Sequence, residues 1–164
     1  MEIRIARPND LEPCINLNKA LYGKGKWPEF LRQRIEDTRM YVTEHEGRVV
    51  GFIAFETNFI GCLFISLLSV HAELRRKGIA RRMIEKVAAH SKNGKLFSST
   101  EEDNEISIKM HEALGFRRSG YIDNLPQPRR EIIYYRDVPL QTDLTMLFSV
   151  FPESREQESS RRSI

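Results

Sequence analysis

The sequence predicts an α/β (α+β) fold, a mixed and mostly antiparallel central sheet with helices on both faces. Three observations predict it. Short β-branched and aromatic runs recur along the chain and are separated by helical patterns. Two such runs, at residues 40–45 and 49–57, are split only by Glu46-Gly47, which reads as a hairpin. The run at residues 63–70 is almost continuously apolar, as expected of a central strand covered on both sides.

The elements follow in order. Residues 1–6 form a first strand, with Ile3 and Ile5 alternating against Arg4. Pro8-Asn9-Asp10 ends it, and Asp10 is a plausible N-cap for a helix reaching Leu21. Residues 22–28 are a turn-rich loop, and a short helix over residues 29–38 follows. After the hairpin and the apolar strand, residues 78–90 give the clearest helix. Its Ala80, Met83, Ile84, Val87 and Ala88 draw one apolar stripe, and Asn93-Gly94 stops it. Residues 95–100 form a strand. Asp103 can cap a helix over residues 104–114, which Gly115 closes. Strands at 117–122 and 131–136 are joined by a loop holding Pro126 and Pro128.

Length and composition narrow the function. A chain of 164 residues is one domain. At 40% hydrophobic it has enough apolar material for a packed core. A formal charge of +3 does not point to nucleic acid or a membrane surface. Cys14 and Cys62 make neither a disulfide framework nor a metal pattern, and no metal is expected. The longest mostly apolar run has 11 residues, against about 20 for a membrane span. No secretory leader is visible, so the expectation is a cytoplasmic protein without a membrane partner. Residues 144–151 are apolar and of uncertain type, and residues 152–164 read as a flexible tail.

Charge is uneven. Between Arg75 and Lys95 there are eight basic residues and one acid, Glu85. This cluster surrounds Gly78, where a helix begins just after the apolar strand. The first turn of a helix leaves backbone N–H groups unpaired, and the aligned peptide dipoles add positive charge there. Small residues at 78 and 80 let a ligand approach that backbone. Strand, basic turn and helix start together suit a phosphate or pyrophosphate. The competing reading is a solvated basic face with Gly78 easing a turn.

Arg75-x-x-Gly78-x-Ala80, after a strand ending at Val70, resembles the acyl-CoA signature of the GCN5-related N-acetyltransferase (GNAT) superfamily, Arg/Gln-x-x-Gly-x-Gly/Ala. Asn104-x-x-Ser107-x-x-x-His111-x-x-Leu114-Gly115-Phe116 is similar to the second motif of that family. The resemblance covers about residues 3–137 and implies an N-acetyltransferase domain over residues 1–140 with an extension at 141–164, partly flexible. It implies acetyl-CoA as acyl donor and an amine of a small molecule or protein as acceptor. Leu68, Ser69 and Val70 are then expected to run beside the pantetheine arm, with the Val70 amide as an oxyanion-type donor. Arg75, Arg76, Lys77, Gly78, Ile79, Ala80 and Arg81 are expected around the pyrophosphate, and Asn104 and Ser107 on the cofactor side of the second helix.

His111 stands where relatives commonly hold the Tyr cast as the acid for the leaving thiolate. An imidazolium with a pKa of about 6.5 can protonate a thiolate whose thiol sits near 8.5. The competing reading is a half-buried histidine without a catalytic role. His45, His71 and His90 read as structural. No base is singled out: Glu101, Glu102 and Asp103 read first as helix-dipole complements, and Glu56 ends another strand. The loop at 22–27, with Lys24, Lys26 and Trp27, and Asn124, Gln127 and Glu131 around the proline loop, are candidates for the acceptor side. Cys14 and Cys62 read as core residues, although Cys62 could lie near a thioester. Two other readings compete: a non-catalytic acyl-CoA-binding regulatory module, and a nucleic-acid-binding domain using the basic cluster, disfavoured by its lack of stacking aromatics. Nucleic acid is therefore not an expected partner, and a homodimer is left open.

Overall fold

The computed structural model describes residues 1–22 and 27–140, without the side chains of residues 21 and 22. Most of the loop at 22–27, with Lys24 and Lys26, and the whole extension at 141–164 lie outside the described residues. Eleven elements follow in the expected order: β1 (Glu2–Ile5), α1 (Leu11–Tyr22), α2 (Pro28–Glu36), β2 (Met40–His45), β3 (Arg48–Phe59), β4 (Cys62–Val70), α3 (Ile79–Ala88), β5 (Lys95–Glu101), α4 (Glu105–Ala113), β6 (Arg117–Ile122) and β7 (Glu131–Asp137).

The strands form one seven-stranded sheet in the order β1-β2-β3-β4-β5-β7-β6. Every neighbouring pair is antiparallel except β4 and β5. The apolar run at 62–70 is the fourth of seven strands, which explains why it carries little polar alternation. One core joins Ile53, Ile65 and Leu96 of the sheet to Ile79, Met83, Ile84 and Val87 of α3, with Ile108 and Leu114 packed on it from the α4 side. The other joins Val42, Phe52 and Ala54 to Cys14 and Leu17 of α1 and to Leu31 and Ile35 of α2. Helices thus cover both faces, α1 and α2 on one, α3 and α4 on the other.

Local geometry corrects three boundaries. α3 stops at Ala88 rather than 90 because the N–H groups of His90 and Ser91 turn back three residues, to Val87 and Ala88, at 2.9 Å each. α2 ends at Glu36 because Thr38 takes a φ of 57°. Asn104, not Asp103, caps α4, its Oδ1 accepting from the Ser107 N–H at 3.1 Å. Asp10 lies in a short 3-10 turn before α1, where its carboxylate accepts from the Arg7 N–H at 2.7 Å and from both terminal nitrogens of Arg4 at 2.7 and 3.0 Å. Burial alone would raise the Asp10 carboxyl, but these donors hold it below the usual carboxylate range.

No helix among the described residues is long and apolar enough to cross a membrane.

Candidate active site

The site begins where β4 and β5 part. Their parallel pairing runs Leu63↔Leu96, Phe64↔Phe97 and Ile65↔Ser98 and ends there, while β4 continues to Val70 and β5 to Glu101. On the other side β4 stays paired with β3, but with a bulge. Phe55 faces Ile65 and Ala54 faces Leu67, so Ser66 is the extra residue.

The register fixes the direction of the Val70 amide. The His71 N–H donates to the Val50 carbonyl at 2.8 Å, which makes 50 and 71 a hydrogen-bonded pair. In an antiparallel ladder the next pair, Gly51 and Val70, is then a non-hydrogen-bonded one. The N–H and C=O of Val70 therefore point away from β3, into the opening toward β5. The Val70 carbonyl accepts from Nε of Arg75 at 3.3 Å, which ties the basic turn to the strand end.

Beyond β4 the chain makes a 3-10 turn at Ala72–Leu74 and reaches α3 through two left-handed residues, Arg76 at φ 62° and Gly78 at φ 78°. Gly78 is the N-cap, and no side chain caps this helix end. The first intrahelical bond runs from the Arg82 N–H to the Gly78 carbonyl at 3.0 Å. The amides of Ile79, Ala80 and Arg81 thus stand ahead of the ladder and are free to meet an anion. Nothing lies within 4 Å of where a Cβ on Gly78 would be, so the space over this backbone is open. Arg75, Arg76, Lys77 and Arg81 are all exposed around it. Unpaired amides at a helix start ringed by exposed basic side chains make an arrangement that suits a pyrophosphate.

α4 presents the second group. Ser107 and His111 come together, and Asn104 engages the helix start. His111 is only 2% exposed. Its Nδ1 lies 2.7 Å from the Ser107 carbonyl and 3.3 Å from the Ser107 hydroxyl, and its Nε2 lies 2.9 Å from Oγ of Ser98 on β5. A carbonyl only accepts, so Nδ1 carries the proton and Nε2 accepts from the Ser98 hydroxyl. The ring stacks on Tyr134 at 4.5 Å and meets Phe116 edge-on. Burial holds the His111 pKa below its ordinary value, only partly countered by the Ser107 carbonyl.

The ring is therefore neutral at pH 7, with its one proton facing the helix backbone. This geometry differs from what a thiolate acid needs, and the reason is burial: a ring this deep is stabilised neutral, with both nitrogens already partnered. A stability consequence follows. An unfolded His111 titrates near about 6.5 and the folded one lower, so the unfolded chain binds more protons between those values. The contribution is complete above about pH 6.5 and is lost as pH falls below it. Urea unfolding between pH 7.5 and 5 should show this loss, and a His111→Gln variant should lack that share of it.

Ser98 and Tyr134 are not among the residues the sequence points to. The available signal is alternation: Leu96, Ser98 and Thr100 share one face of β5, so a serine has to lie in the core. The other candidates disperse. Glu101 and Asp103 pair with Arg129, and Glu102 with Arg130, so the proline loop neutralises the acidic run. Glu56 lies within β3 rather than at its end and pairs with Arg34 and Arg39. Glu131 accepts from Gln127 at 3.1 Å. Trp27 packs edge-on against Phe30. His90 bonds Tyr41, and His45 sits 3.9 Å from Glu46. Cys14 is buried, its thiol pushed up to about 12 by that burial. Cys62 opens β4, roughly 25 Å from Val70 at about 3.3 Å per residue, and so lies far from any thioester held there.

Comparison with known proteins decides the family. The model of the acetyltransferase (GNAT) family matches residues 11–116. The chain belongs to the GNAT acetyltransferases.

As such it is an acyltransferase with acetyl-CoA as donor. A GNAT-family acetyltransferase from Bacillus cereus is 31% identical over 84% of this chain and 97% of its own, with a TM-score of 0.75. Two more distant structures share the fold. Arabidopsis thaliana Naa50, in complex with the bisubstrate analogue CoA-Ac-MVNAL, is 20% identical over 83% of this chain and 97% of its own, at a TM-score of 0.67. The acetyltransferase yncA from Salmonella typhimurium, with its cofactor acetyl-CoA, is 18% identical over 85% and 94%, at 0.63. No curated protein matches the chain. The described residues of this GNAT enzyme hold no cluster of potential metal ligands.

Proposed function

We propose that this GNAT enzyme, through residues 1–140, transfers the acetyl group of acetyl-CoA directly to an amine of a small molecule or protein. One observation carries the reading: the Val70 amide faces the opening between β4 and β5, beside a helix start whose backbone is open at Gly78. Acetyl-CoA supplies an activated acyl group. The amides of Ile79, Ala80 and Arg81, with the side chains of Arg75, Arg76, Lys77 and Arg81, hold its diphosphate. The end of β4, from Leu68 through Ser69 to Val70, lies along its pantetheine arm, and the Val70 N–H meets the charge that builds on the carbonyl oxygen. Asn104 and Ser107 set the register of α4 on the cofactor side.

His111 acts in this reading as a positioning residue. It fixes Ser98 and α4 against β7, and the departing thiolate takes its proton from solvent. Both cysteines are free thiols, which supports a reducing, cytoplasmic setting. The peptide part of the analogue bound by Naa50 makes peptide amino termini the first acceptor class to try.

A screen of acetyl-CoA-dependent thiol release over small primary amines, amino acids and peptide amino termini tests the proposal. Release above the acceptor-free background is expected for at least one class. Binding of coenzyme A without release for any class would overturn it.

A further inference from the structure

α1 and α2 cover only part of their face of the sheet. Among the described residues, the core beneath them draws on Met40 and Val42 of β2, Phe52 and Ala54 of β3 and, at its margin, Leu67 of β4, with no residue from β5, β6 or β7. Yet that half of the same face carries a row of rings. Leu63, Ile65, Leu96 and Tyr134 belong to the α3-side core, so their neighbours Phe64, Phe97 and Tyr135 point the other way. Phe64 stands opposite Phe97 in the ladder, Phe97 stands opposite Tyr135, and Phe59 joins them from the end of β3. The ring centroids lie 4.6 Å apart for Phe59 and Phe64, 5.5 Å for Phe59 and Phe97, and 6.2 Å for Phe97 and Tyr135. All four rings are half-buried, and none belongs to either helix-covered core. The rim of the row is open to solvent. Lys95 and Arg117 lie over the Tyr135 ring, and both pair with Asp137, whose side chain is 56% exposed.

The chain leaves the described residues beside this row. The Val138 N–H donates to the Gly94 carbonyl at 3.0 Å, and the exposed side chain of Leu140 lies 3.8 Å from where a Cβ on Gly94 would be. Gly94 directly precedes β5, so Phe97 stands about 10 Å further on, at about 3.3 Å per residue. Four residues of chain carry Leu144 up to about 13 Å from Leu140, which is enough to reach the row. There the sequence turns apolar, from Leu144 through Met146, Leu147, Phe148 and Val150 to Phe151, and Pro152 closes the run. Leu144, Leu147, Phe148 and Phe151 fall at helical spacing, and Leu144, Met146, Phe148 and Val150 alternate, so Phe148 shares an apolar face under either period. Eight residues span about 12 Å as a helix and about 26 Å extended. The row crosses four strands, about 14 Å at about 4.8 Å between strands, so the lengths match. Asp143, just ahead of the run, complements the Lys95 and Arg117 rim.

We propose that residues 144–151 dock on the row of Phe59, Phe64, Phe97 and Tyr135 in their own chain and close this face of the sheet. A segment tethered by a short link meets the row at an effective concentration in about the millimolar range, which favours it over a second copy of the chain. Apolar patches of this kind mark interaction sites, and here the partner is covalently at hand. Phe64 and Phe97 are the ladder pair just before Ile65 and Ser98, the last pair before β4 and β5 part. The docked segment therefore braces the foot of the opening. The inference is independent of the acetyl-transfer reading.

Photocross-linking on the full-length chain tests this. With benzoylphenylalanine in place of Phe148, irradiation should link position 148 to Phe64, Phe97, Tyr135 or their immediate neighbours within one chain, as located by peptide mass spectrometry. Cross-linked dimers would assign the row to a second copy, and scattered or absent cross-links would leave it open. Either result overturns the proposal. A double-mutant cycle reads the same contact through stability. Phe148→Ala should lower the Tm of the full chain by at least about 3 °C. Phe97→Ala should lower it too, and the double variant should lose clearly less than the sum of the two. Additive losses, or a Phe148→Ala variant with the parent's Tm, would sink the idea. The cross-linking leaves the sheet unchanged, so it decides the matter where Phe97→Ala does not fold.

Discussion

Gly78→Glu is expected to abolish measurable coenzyme A binding. Two effects add at this position. A side chain at φ 78° is held in the left-handed region, which costs roughly 1–2 kcal/mol outside glycine. The larger effect is electrostatic, because the new carboxylate occupies the open space over the amides of Ile79, Ala80 and Arg81, the proposed diphosphate site. A loss of at least 100-fold in affinity, about 2.7 kcal/mol, is expected by titration calorimetry. Gly78→Ala separates the two effects. No atom lies within 4 Å of its added Cβ, so it carries the strain without the charge and should weaken binding by less than about tenfold. Equal losses in both variants would show that Gly78 serves backbone shape and not the anion site.

His111→Ala is the second large effect, and here the fold suffers first. The change removes a ring stacked on Tyr134 and leaves the Ser98 hydroxyl and the Ser107 carbonyl without their partner. Truncating a buried aromatic to Ala costs about 3–5 kcal/mol. In a chain of this size that lowers Tm by roughly 6–20 °C. Turnover should fall with it, while coenzyme A affinity measured below the unfolding range stays close to the parent's, because the proposed diphosphate turn lies on another element. His111→Gln distinguishes the two roles. Its amide can still bond Ser98 or Ser107 but cannot deliver a proton as an imidazolium does. A positioning role predicts that Gln keeps most of the turnover and of the Tm. A Gln variant that folds as the parent does, yet loses 100-fold or more in kcat across the pH range, would restore His111 as the acid.

The two positions differ in how far the sequence alone supports them. Gly78 is legible because its reasons are local. A glycine between a basic turn and an apolar helical stripe marks the point where the chain must bend into the helix, and the φ of 78° at the N-cap agrees. His111 is legible as a position in a motif but not as a chemical state. Its state is set by Ser98, 13 residues away, and by Tyr134 on a strand further along the chain. The acidic run at 101–103 shows the same limit, since the arginines that neutralise it come from the loop after β6. Cys62 lies at the end of β4 opposite Val70, and composition does not tell which end of a strand a residue occupies relative to the opening.

The order of strands and helices, the central place of β4 and the glycine turn into α3 can all be read from the residues without coordinates. They follow from side-chain periodicity and backbone demands that act within a few residues. Three features become visible only once the chain is folded: the Val70 amide faces the gap, Ser66 forms a bulge there, and His111 is buried and neutral. Each is a relation between strands or helices that are distant along the chain, set by register and burial, and none is encoded in any one segment.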